Sequence, residues 1–202
     1  MDLHGFDLAR APLDVQADAL RAIVGADPDL MGLLAVVRDL GLPDGWLVSG
    51  ALYQTVWNVL TGRPRRTGIK DYDVVYFDGS DLSYEAEDAV IRRVEATARP
   101  LGLPVEVRNQ ARVHLWFPGR FGFEVPPLVS SADSLLRYAS TTHAVAARLD
   151  AGGRIHLLAP YGLADVFALH MRPNRRLPNG PSHDAKARRC LSVWPELTVE
   201  WW

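Results

Sequence analysis

The chain has 202 residues, of which 48% are hydrophobic and 23% are charged, and its formal net charge is −2. This composition is typical of a globular domain with a sizeable core, and it provides no global attraction to nucleic acid. The single cysteine, Cys190, excludes an intrachain disulfide and a cysteine-based zinc site. Residues 1–4 do not open a signal peptide, and no apolar run approaches the roughly 20 residues that span a bilayer. We therefore expect a cytoplasmic protein that has no membrane partner.

Two amphipathic helices are predicted at the N-terminus. The first covers residues 13–25, where apolar residues recur at helical spacing. The second begins at Asp27-Pro28, which has the character of an N-cap followed by a first-turn proline, and it stops at Gly41. We expect these helices to form a helical layer over residues 1–44.

A strand, a turn and a helix follow directly upon one another in the next segment. Residues 45–48 are a short apolar strand, Ser49-Gly50-Ala51 forms the turn, and residues 52–60 form the helix. A glycine before a helix N-terminus lets an anion approach free backbone N–H groups. Tight packing of small residues is the alternative explanation of this turn.

A basic loop covers residues 63–68 and carries Arg65 and Arg66. Cations next to carboxylates can contact a polyphosphate, so both arginines are candidate ligands. A solvated surface loop explains the same residues equally well.

Two aspartates stand at the start of the next strand, within residues 69–78. Asp71 and Asp73 are two residues apart, so a strand presents them on one face, roughly 6–7 Å from each other. Like charges at this distance repel, and a divalent cation such as Mg²⁺ would offset the repulsion. A solvated strand end is the alternative explanation.

The remaining chain alternates helices and strands. The pattern predicts helices over residues 84–101, 134–139, 162–170 and 183–194, strands over 105–107, 112–117 and 154–158, and a polar loop over 172–181. Residues 141–149 fit a helix and a strand equally well. Glu106 lies at the centre of the strand 105–107.

Three polar residues follow Glu106 closely. Asn109 and Arg112 are expected either to line the same cleft or to form a buried hydrogen-bonded turn. His114 alternates with Arg112 on the predicted strand 112–117, so it either contacts a base or phosphate or serves the structure.

Taken in order, Ser49-Gly50-Ala51, Asp71-Tyr72-Asp73 and Glu106 resemble the motifs of the DNA polymerase β type nucleotidyltransferase superfamily. Segments 70–78, 109–114, 159–165 and 194–195 also look like a bacterial nucleotidyltransferase-like family that was once described only as a domain of unknown function. That resemblance covers roughly residues 27–197.

The resemblance implies a function and a set of roles. The reaction is the Mg²⁺-dependent transfer of a nucleoside monophosphate from a nucleoside triphosphate to a hydroxyl acceptor on a small molecule or a protein, with Mn²⁺ as the alternative metal. The resemblance makes Asp71, Asp73 and Glu106 the catalytic acids and metal ligands. The implied nucleotide-binding residues are Ser49, Gly50, Ala51, Arg65, Arg66, Lys70, Asn109, Arg112 and His114.

Two features depart from the superfamily pattern. Ala51 stands where the superfamily usually has a serine, so one phosphate-binding hydroxyl is missing. The spacing from Gly50 to Asp71 is also longer than usual, because the basic loop intervenes.

The expected fold class is α/β (α+β), with a nucleotidyltransferase-type mixed β-sheet, helices packed on it, and helical elements at both chain ends. We predict a single domain over residues 1–202. It is divided into the helical layer 1–44, a catalytic core 45–125 and an α/β extension 126–202.

Other functions share parts of this pattern. Ala51 favours a non-catalytic nucleotide-binding or interaction protein on the same fold, whereas residues 63–66 alone favour a nucleic-acid binder, which the net charge of −2 opposes. A glycosyltransferase with an Asp-x-Asp motif has its apolar strand before the acids, whereas here the strand follows them. A haloacid-dehalogenase-type phosphatase requires an aspartate at position 80, where this chain has serine.

Overall fold

The structure is a computed structural model that describes residues 7–202. The sequence-based expectation for residues 1–4 lies outside the described residues, since residues 1–6 are not described. Within residues 7–202, no helix has both the length and the apolar character needed to cross a membrane. The cytoplasmic location stays a prediction.

Helices and strands alternate along most of the described chain. The α-helices are α1 (Leu13–Ala26), α2 (Pro28–Asp39), α3 (Gly50–Leu60), α4 (Tyr84–Ala98), α5 (Val113–Phe121), α6 (Ser131–Leu135), α7 (Ala164–Phe167) and α8 (Gly180–Leu191). The strands are β1 (Trp46–Val48), β2 (Tyr72–Tyr76), β3 (Val105–Asn109), β4 (Ala146–Leu149), β5 (Ile155–Leu158), β6 (His170–Met171) and β7 (Thr198–Val199).

The two N-terminal helices form as the sequence predicts. The carboxylate of Asp27 accepts hydrogen bonds from the backbone N–H groups of Asp29 and Leu30, at 2.9 and 3.1 Å. These bonds satisfy two of the free donors at the start of α2, and Pro28 occupies the first helical position, where no N–H is needed.

Five strands form one mixed sheet in the order β3-β2-β1-β4-β5. Strand β1 is antiparallel to both β2 and β4, whereas β2 and β3 are parallel and are connected through α4. Strands β4 and β5 come from the predicted extension 126–202 and yet pair in the same sheet as the core strands. The division into layer, core and extension stays a prediction.

The two faces of the sheet carry different packing. One face presents Leu47, Val74 and Val107 to the main hydrophobic core, which α1, α2, α3 and α4 help to form. The opposite face presents Val48 and Val75 to a smaller cluster that α6 covers in part. Since side chains alternate along a strand, Asp73 belongs to the face with the smaller cluster.

Three predicted elements differ from the structure. Residues 112–117 form the end of a 3₁₀ turn and the start of α5 instead of a strand. The helix expected over 162–170 shortens to α7, and the chain then enters β6. The helix expected over 134–139 is α6, which begins three residues earlier because the hydroxyl of Ser130 caps it.

The segment 141–149, for which the sequence did not decide between helix and strand, contains both structures in succession. Residues Thr141–His143 form a 3₁₀ turn, and β4 follows after two further residues. The segment is therefore helical at its start and extended at its end.

Candidate active site

Asp73 is the second residue of β2 and lies at the centre of the candidate site. Its partners in register are Val48 of β1 and Glu106 of β3. Paired residues on adjacent strands point to the same face and lie about 5 Å apart in the pairing direction. Asp71 comes two residues earlier, just before β2 begins, so the strand period carries it to the same face. The fold thus places the three predicted acids on one face at one end of these strands.

The surroundings of Asp73 oppose its ionisation. Burial and the negative charge of Asp71 raise its pKa to about 6, and Glu106 acts in the same direction. The positive charges of Lys186 and Arg108 act in the opposite direction without cancelling this shift. A carboxyl group in these surroundings binds a proton or a cation more readily than an exposed aspartate does.

Two of the acids contact cations of the chain. Lys70 Nζ lies 3.2 Å from Asp71 Oδ2, and Arg108 Nη2 lies 3.8 Å from Glu106 Oε2. The side chains of Lys70 and Arg108 are 73% and 51% exposed, so each pair contributes little to stability and can separate easily. The sequence analysis missed Arg108, although it lies two residues beyond Glu106 and therefore on the same face of β3.

The turn at Ser49 and Gly50 lies next to the acids. Strand β1 runs antiparallel to β2 and ends at Val48, opposite Asp73, so the turn lies where β2 begins. Helix α3 starts at Gly50, and its first turn presents backbone N–H groups at that position. A Cβ added to Gly50 would meet only Gln54, at 3.8 Å, so internal packing does not require this glycine. What it provides is an unobstructed approach to the backbone.

The two residues that flank Gly50 are buried and have different roles. Ser49 has φ 59° and ψ −118°, a conformation that favours glycine, and its side chain makes no capping hydrogen bond to α3. Its backbone N–H donates to the carbonyl of Val145 at 2.8 Å, which extends the β1–β4 pairing. Ala51 is fully buried in the main core, so its side chain is not available to a ligand.

Arg65 and Arg66 are not brought to the acids. Arg66 forms two hydrogen bonds with the carboxylate of Asp29, at 2.6 and 2.8 Å, and Arg65 lies 3.8 Å from the same group. The charges of both arginines also reach Tyr72, which points to the face opposite Asp73. These contacts attach the basic loop to the start of α2.

Asn109 and Arg112 take part in a buried network at the far end of β3. The side chain of Asn109 accepts from the backbone N–H of Asp78 and donates to the carbonyl of the same residue, at 3.1 and 2.8 Å. Arg112 donates to the carboxylate of Glu87, a residue of α4 that is only 5% exposed. Both residues connect elements of the fold, as the buried-turn interpretation expected.

His114 lies on helix α5, so the prediction that it alternates with Arg112 along a strand is wrong. The side chain of Asn109 accepts a hydrogen bond from the N–H of Ala111, which turns the chain into the 3₁₀ segment that leads to α5. Alternating polarity over six residues does not distinguish this arrangement from a strand. Among residues 7–202, Nδ1 of His114 is buried and has no hydrogen-bond partner.

Lys186 is a candidate site residue that the sequence analysis did not single out. It is exposed on α8, and its ammonium lies close enough to lower the pKa of Asp73. More than a hundred residues separate it from Asp73, and no local motif marks it. Only the packing of α8 against the rest of the fold brings it to the site.

The acids agree in chemistry with a divalent cation. Asp71, Asp73 and Glu106 supply the carboxylate oxygens that Mg²⁺ and Mn²⁺ prefer, and the raised pKa of Asp73 reports a crowding that a cation would relieve. Within residues 7–202, however, no three His, Cys, Asp or Glu side chains are already positioned to hold a metal ion. Glu106 is half exposed and lies towards Arg108.

Comparison with known proteins assigns the chain to a family. The sequence profile of the nucleotidyltransferase family matches residues 35–199. This range includes β1 to β7 and all of the candidate acids. The chain therefore belongs to the nucleotidyltransferase family, as the motifs at Gly50, Asp71, Asp73 and Glu106 led us to expect. A comparison with curated proteins found no match.

A solved structure supports the fold in the same way. The chain is similar to a protein whose NMR structure is described as revealing a CCA-adding enzyme head domain, with a TM-score of 0.74 and 25% sequence identity. The similarity covers 92% of this chain and 96% of the other. The predicted nucleotidyltransferase-type mixed sheet with packed helices is thus confirmed.

Proposed function

We propose that this chain is a divalent-cation-dependent nucleotidyltransferase that transfers a nucleoside monophosphate from a nucleoside triphosphate to a hydroxyl acceptor. The observation that carries the proposal is the register of β2 and β3, which pairs Asp73 with Glu106 and keeps Asp71 on the same face. Membership of the nucleotidyltransferase family supports the class of reaction.

Each candidate residue has a separate role in the proposed reaction. Asp71 and Asp73 hold the cation, Mg²⁺ or Mn²⁺, which when bound stabilises negative charge on the attacking and leaving oxygens. The backbone N–H groups at the start of α3 bind the phosphates beyond the α-phosphorus. Glu106 accepts the proton of the acceptor hydroxyl as that oxygen forms its bond to the α-phosphorus and pyrophosphate leaves. Lys70 neutralises charge at Asp71 between turnovers.

We further propose that the acceptor is a small molecule or a protein. The similar NMR structure is described as a CCA-adding enzyme head domain, which makes an RNA 3′ hydroxyl the natural competing acceptor. The present chain has a net charge of −2, and Arg65 and Arg66 are engaged with Asp29. Neither observation favours a strongly bound polyanionic acceptor.

One observation favours a second function, in which the chain binds a nucleotide without catalysis. Lys70 and Arg108 already lie beside two of the three acids, so positive charge of the chain partly takes the place of a metal. Ala51 is buried and contributes no hydroxyl to a phosphate. This alternative predicts nucleotide binding that is independent of Mg²⁺ and is not followed by pyrophosphate release.

A transfer assay tests the proposal. The protein would be incubated with each α-labelled nucleoside triphosphate, with Mg²⁺ or Mn²⁺, and with small-molecule, protein or RNA acceptors, while pyrophosphate release is measured. We expect metal-dependent release that Asp71→Asn and Asp73→Asn reduce roughly 10²–10³-fold. Asp18→Asn on α1 is the matched control, because Asp18 is exposed and, within the described residues 7–202, pairs only with Arg21 of the same helix.

Binding of a triphosphate without any pyrophosphate release would identify the non-catalytic function. Absence of both binding and release, with no effect of either aspartate substitution, would reject both functions.

A further inference from the structure

Side chains at the end of α8, and just beyond it, contact side chains of α3. The ring of Trp194, just beyond α8, packs against that of Trp57 at 5.2 Å between centroids. Four residues earlier on each helix, the thiol of Cys190 lies against the hydroxyl of Tyr53. Two successive contacts in the same direction mean that the helices are parallel here, since four residues advance each helix by about 6 Å.

One further turn towards the N-terminus reaches Lys186 on α8 and the start of α3 at Gly50. The ammonium of Lys186 lies close enough to Asp73, on the acidic face of the sheet, to lower the pKa of that carboxyl. Among residues 7–202, no carboxylate lies within 4.0 Å of this ammonium, whereas the neighbouring Arg189 donates to the carbonyl of Gly68 at 3.2 Å. Within the described residues, Lys186 is thus a cation that has no carboxylate partner.

His143 is a second polar group at this position, and it is buried. It is only 1% exposed, and its ring stacks on that of Tyr53, in the first turns of α3, at 4.8 Å between centroids and 14° between planes. Neither ring nitrogen has a hydrogen-bond partner among residues 7–202. A buried imidazole without partners costs stability, and a ligand that completes its hydrogen bonds would offset this cost.

The imidazole of His143 acts as a neutral group. Burial, together with the charges of Lys186, His183 and Arg189, keeps its pKa well below the usual range. A neutral imidazole carries one N–H donor and one acceptor nitrogen. It can therefore donate to an anion without bringing a further positive charge.

We propose that Lys186, His143 and the N-terminus of α3 form a subsite that binds the pyrophosphate part of a nucleoside triphosphate. Lys186 contributes a mobile charge, His143 a neutral hydrogen bond from the buried side, and α3 its backbone N–H groups. The subsite takes the cationic role that the sequence analysis assigned to Arg65 and Arg66. This inference rests on the proposed function, because it concerns the leaving group of that reaction.

Binding of inorganic tripolyphosphate without metal tests the subsite directly. Calorimetric titration in the presence of a chelator should show binding by the wild-type protein. We expect Lys186→Met to weaken this binding about tenfold or more, because it removes a charge-assisted hydrogen bond, and Lys186→Arg to retain most of it. Arg188→Met is the matched control on the same helix, because Arg188 is exposed and lies over the ring of Trp201; it should leave binding unchanged.

A second pair of variants tests His143. His143→Phe keeps the stacking on Tyr53 and removes two unpaired buried nitrogens, so the melting temperature should rise while tripolyphosphate binding weakens severalfold. His143→Leu serves the same purpose if phenylalanine is too large for the site. A histidine that only supports the structure would leave tripolyphosphate binding unchanged in both variants, and that result would overturn its part in the subsite.

The subsite and the proposed function fail in different ways. Lack of tripolyphosphate binding by the wild-type protein, or equal weakening by Lys186→Met and Arg188→Met, overturns the subsite whatever the transfer assay shows. Lysine-dependent binding without nucleotide transfer to any acceptor leaves the subsite standing and rejects only the catalytic function.

Discussion

Asp29 and Asp73 are both largely removed from solvent, and yet their surroundings shift their pKa values in opposite directions. Hydrogen bonds from Arg66 lower the pKa of Asp29, whereas burial and the charge of Asp71 raise that of Asp73 to about 6. Nε of Arg66 lies 2.6 Å from Oδ2 of Asp29. Among the described residues, no cationic group lies within 4.0 Å of the Asp73 carboxylate.

The same contrast separates the two ends of β3. Glu87 and Arg112, at the far end, form a buried pair in which each charge has its partner. Asp73 and Glu106, near the start of β3, place two like charges side by side. Complete pairing marks the carboxylates that support the fold, and incomplete pairing marks those that remain available for a cation from outside. Predictions at four residues follow, in order of decreasing effect.

The largest effect is expected where a complete pair is broken. Arg112→Met leaves the carboxylate of Glu87 buried without its cation, so the free energy of unfolding should fall by about 3–5 kcal/mol, measured by urea denaturation. The double variant Glu87→Gln, Arg112→Met should recover most of this loss, because glutamine still accepts the N–H of Asn109 without a charge. If the single variant keeps wild-type stability and instead loses nucleotide binding, Arg112 belongs to the site and the division is wrong.

The second prediction concerns Asp73, where a substitution should raise the free energy of unfolding instead of lowering it. Asp73→Asn should stabilise the protein by up to about 3 kcal/mol near neutral pH, since a tenfold change in proton binding corresponds to about 1.4 kcal/mol. The pKa of Asp73 is raised from 3.8 in the unfolded chain to about 6, so its ionisation costs the folded state nothing below pH 3.8. Between pH 3.8 and about 6 the carboxyl ionises in the unfolded chain but not in the folded state, so the loss of stability grows over this range and is complete above it. The stability difference between variant and wild type should accordingly be absent in acid and present above pH 6.

Activity and metal binding should respond to Asp73→Asn in the other direction. We expect nucleotide transfer to fall roughly 10²–10³-fold, the range seen when a group that stabilises transition-state charge is removed. Added Mg²⁺ should raise the melting temperature of the wild type and not that of the variant. Equal stabilisation of both proteins by Mg²⁺ would place the cation elsewhere.

A smaller effect is expected at Ser49, which holds a strained backbone next to the acids. Ser49→Gly should raise the free energy of unfolding by about 1 kcal/mol, because glycine adopts φ 59° without the steric cost. Thermal melting measures this gain, and nucleotide transfer should be unchanged. Ser49→Ala is the control, since it keeps the strain and removes the hydroxyl. A loss of transfer in both variants would show that the hydroxyl of Ser49 contacts the nucleotide.

The smallest effect is expected at Arg66. Its side chain is 47% exposed, so solvent screens its pair with Asp29, and Arg66→Gln should lower the free energy of unfolding only slightly. Tripolyphosphate binding should remain at the wild-type level, in contrast to the loss expected for Lys186→Met. Comparable weakening in the two variants would restore Arg66 as a phosphate ligand and would contradict its assignment to the fold.

Much of the acidic site could be predicted because its signals are local. Asp71 and Asp73 share a face through the two-residue period of a strand, and the turn at Gly50 is recognisable between a short apolar strand and a helix. Residues 112–117 show the limit of this reasoning. Their alternating polarity indicates a strand, yet one side-chain hydrogen bond from Ala111 to Asn109 turns the chain into a helix, and His114 leaves the predicted face.

The cations could not be assigned from the sequence, because a charged side chain takes whichever partner the packing brings within reach. After Lys70, Arg65 and Arg66 are the cations nearest to Asp71 along the chain. In the folded protein they pair instead with Asp27 and Asp29 at the start of α2. Lys186, which is far away in sequence, reaches the acidic face because α8 packs parallel to α3.

The sequence by itself determined the family and the mixed sheet and named the three candidate acids, since these depend on residue types within short segments and on their order along the chain. Only the tertiary structure decided that Glu106 stands in register with Asp73, that His143 is buried without hydrogen-bond partners among residues 7–202, and that Lys186 comes close to Asp73. The physical reason is that charge pairing and burial depend on distances across the fold, which strand pairing and helix packing set.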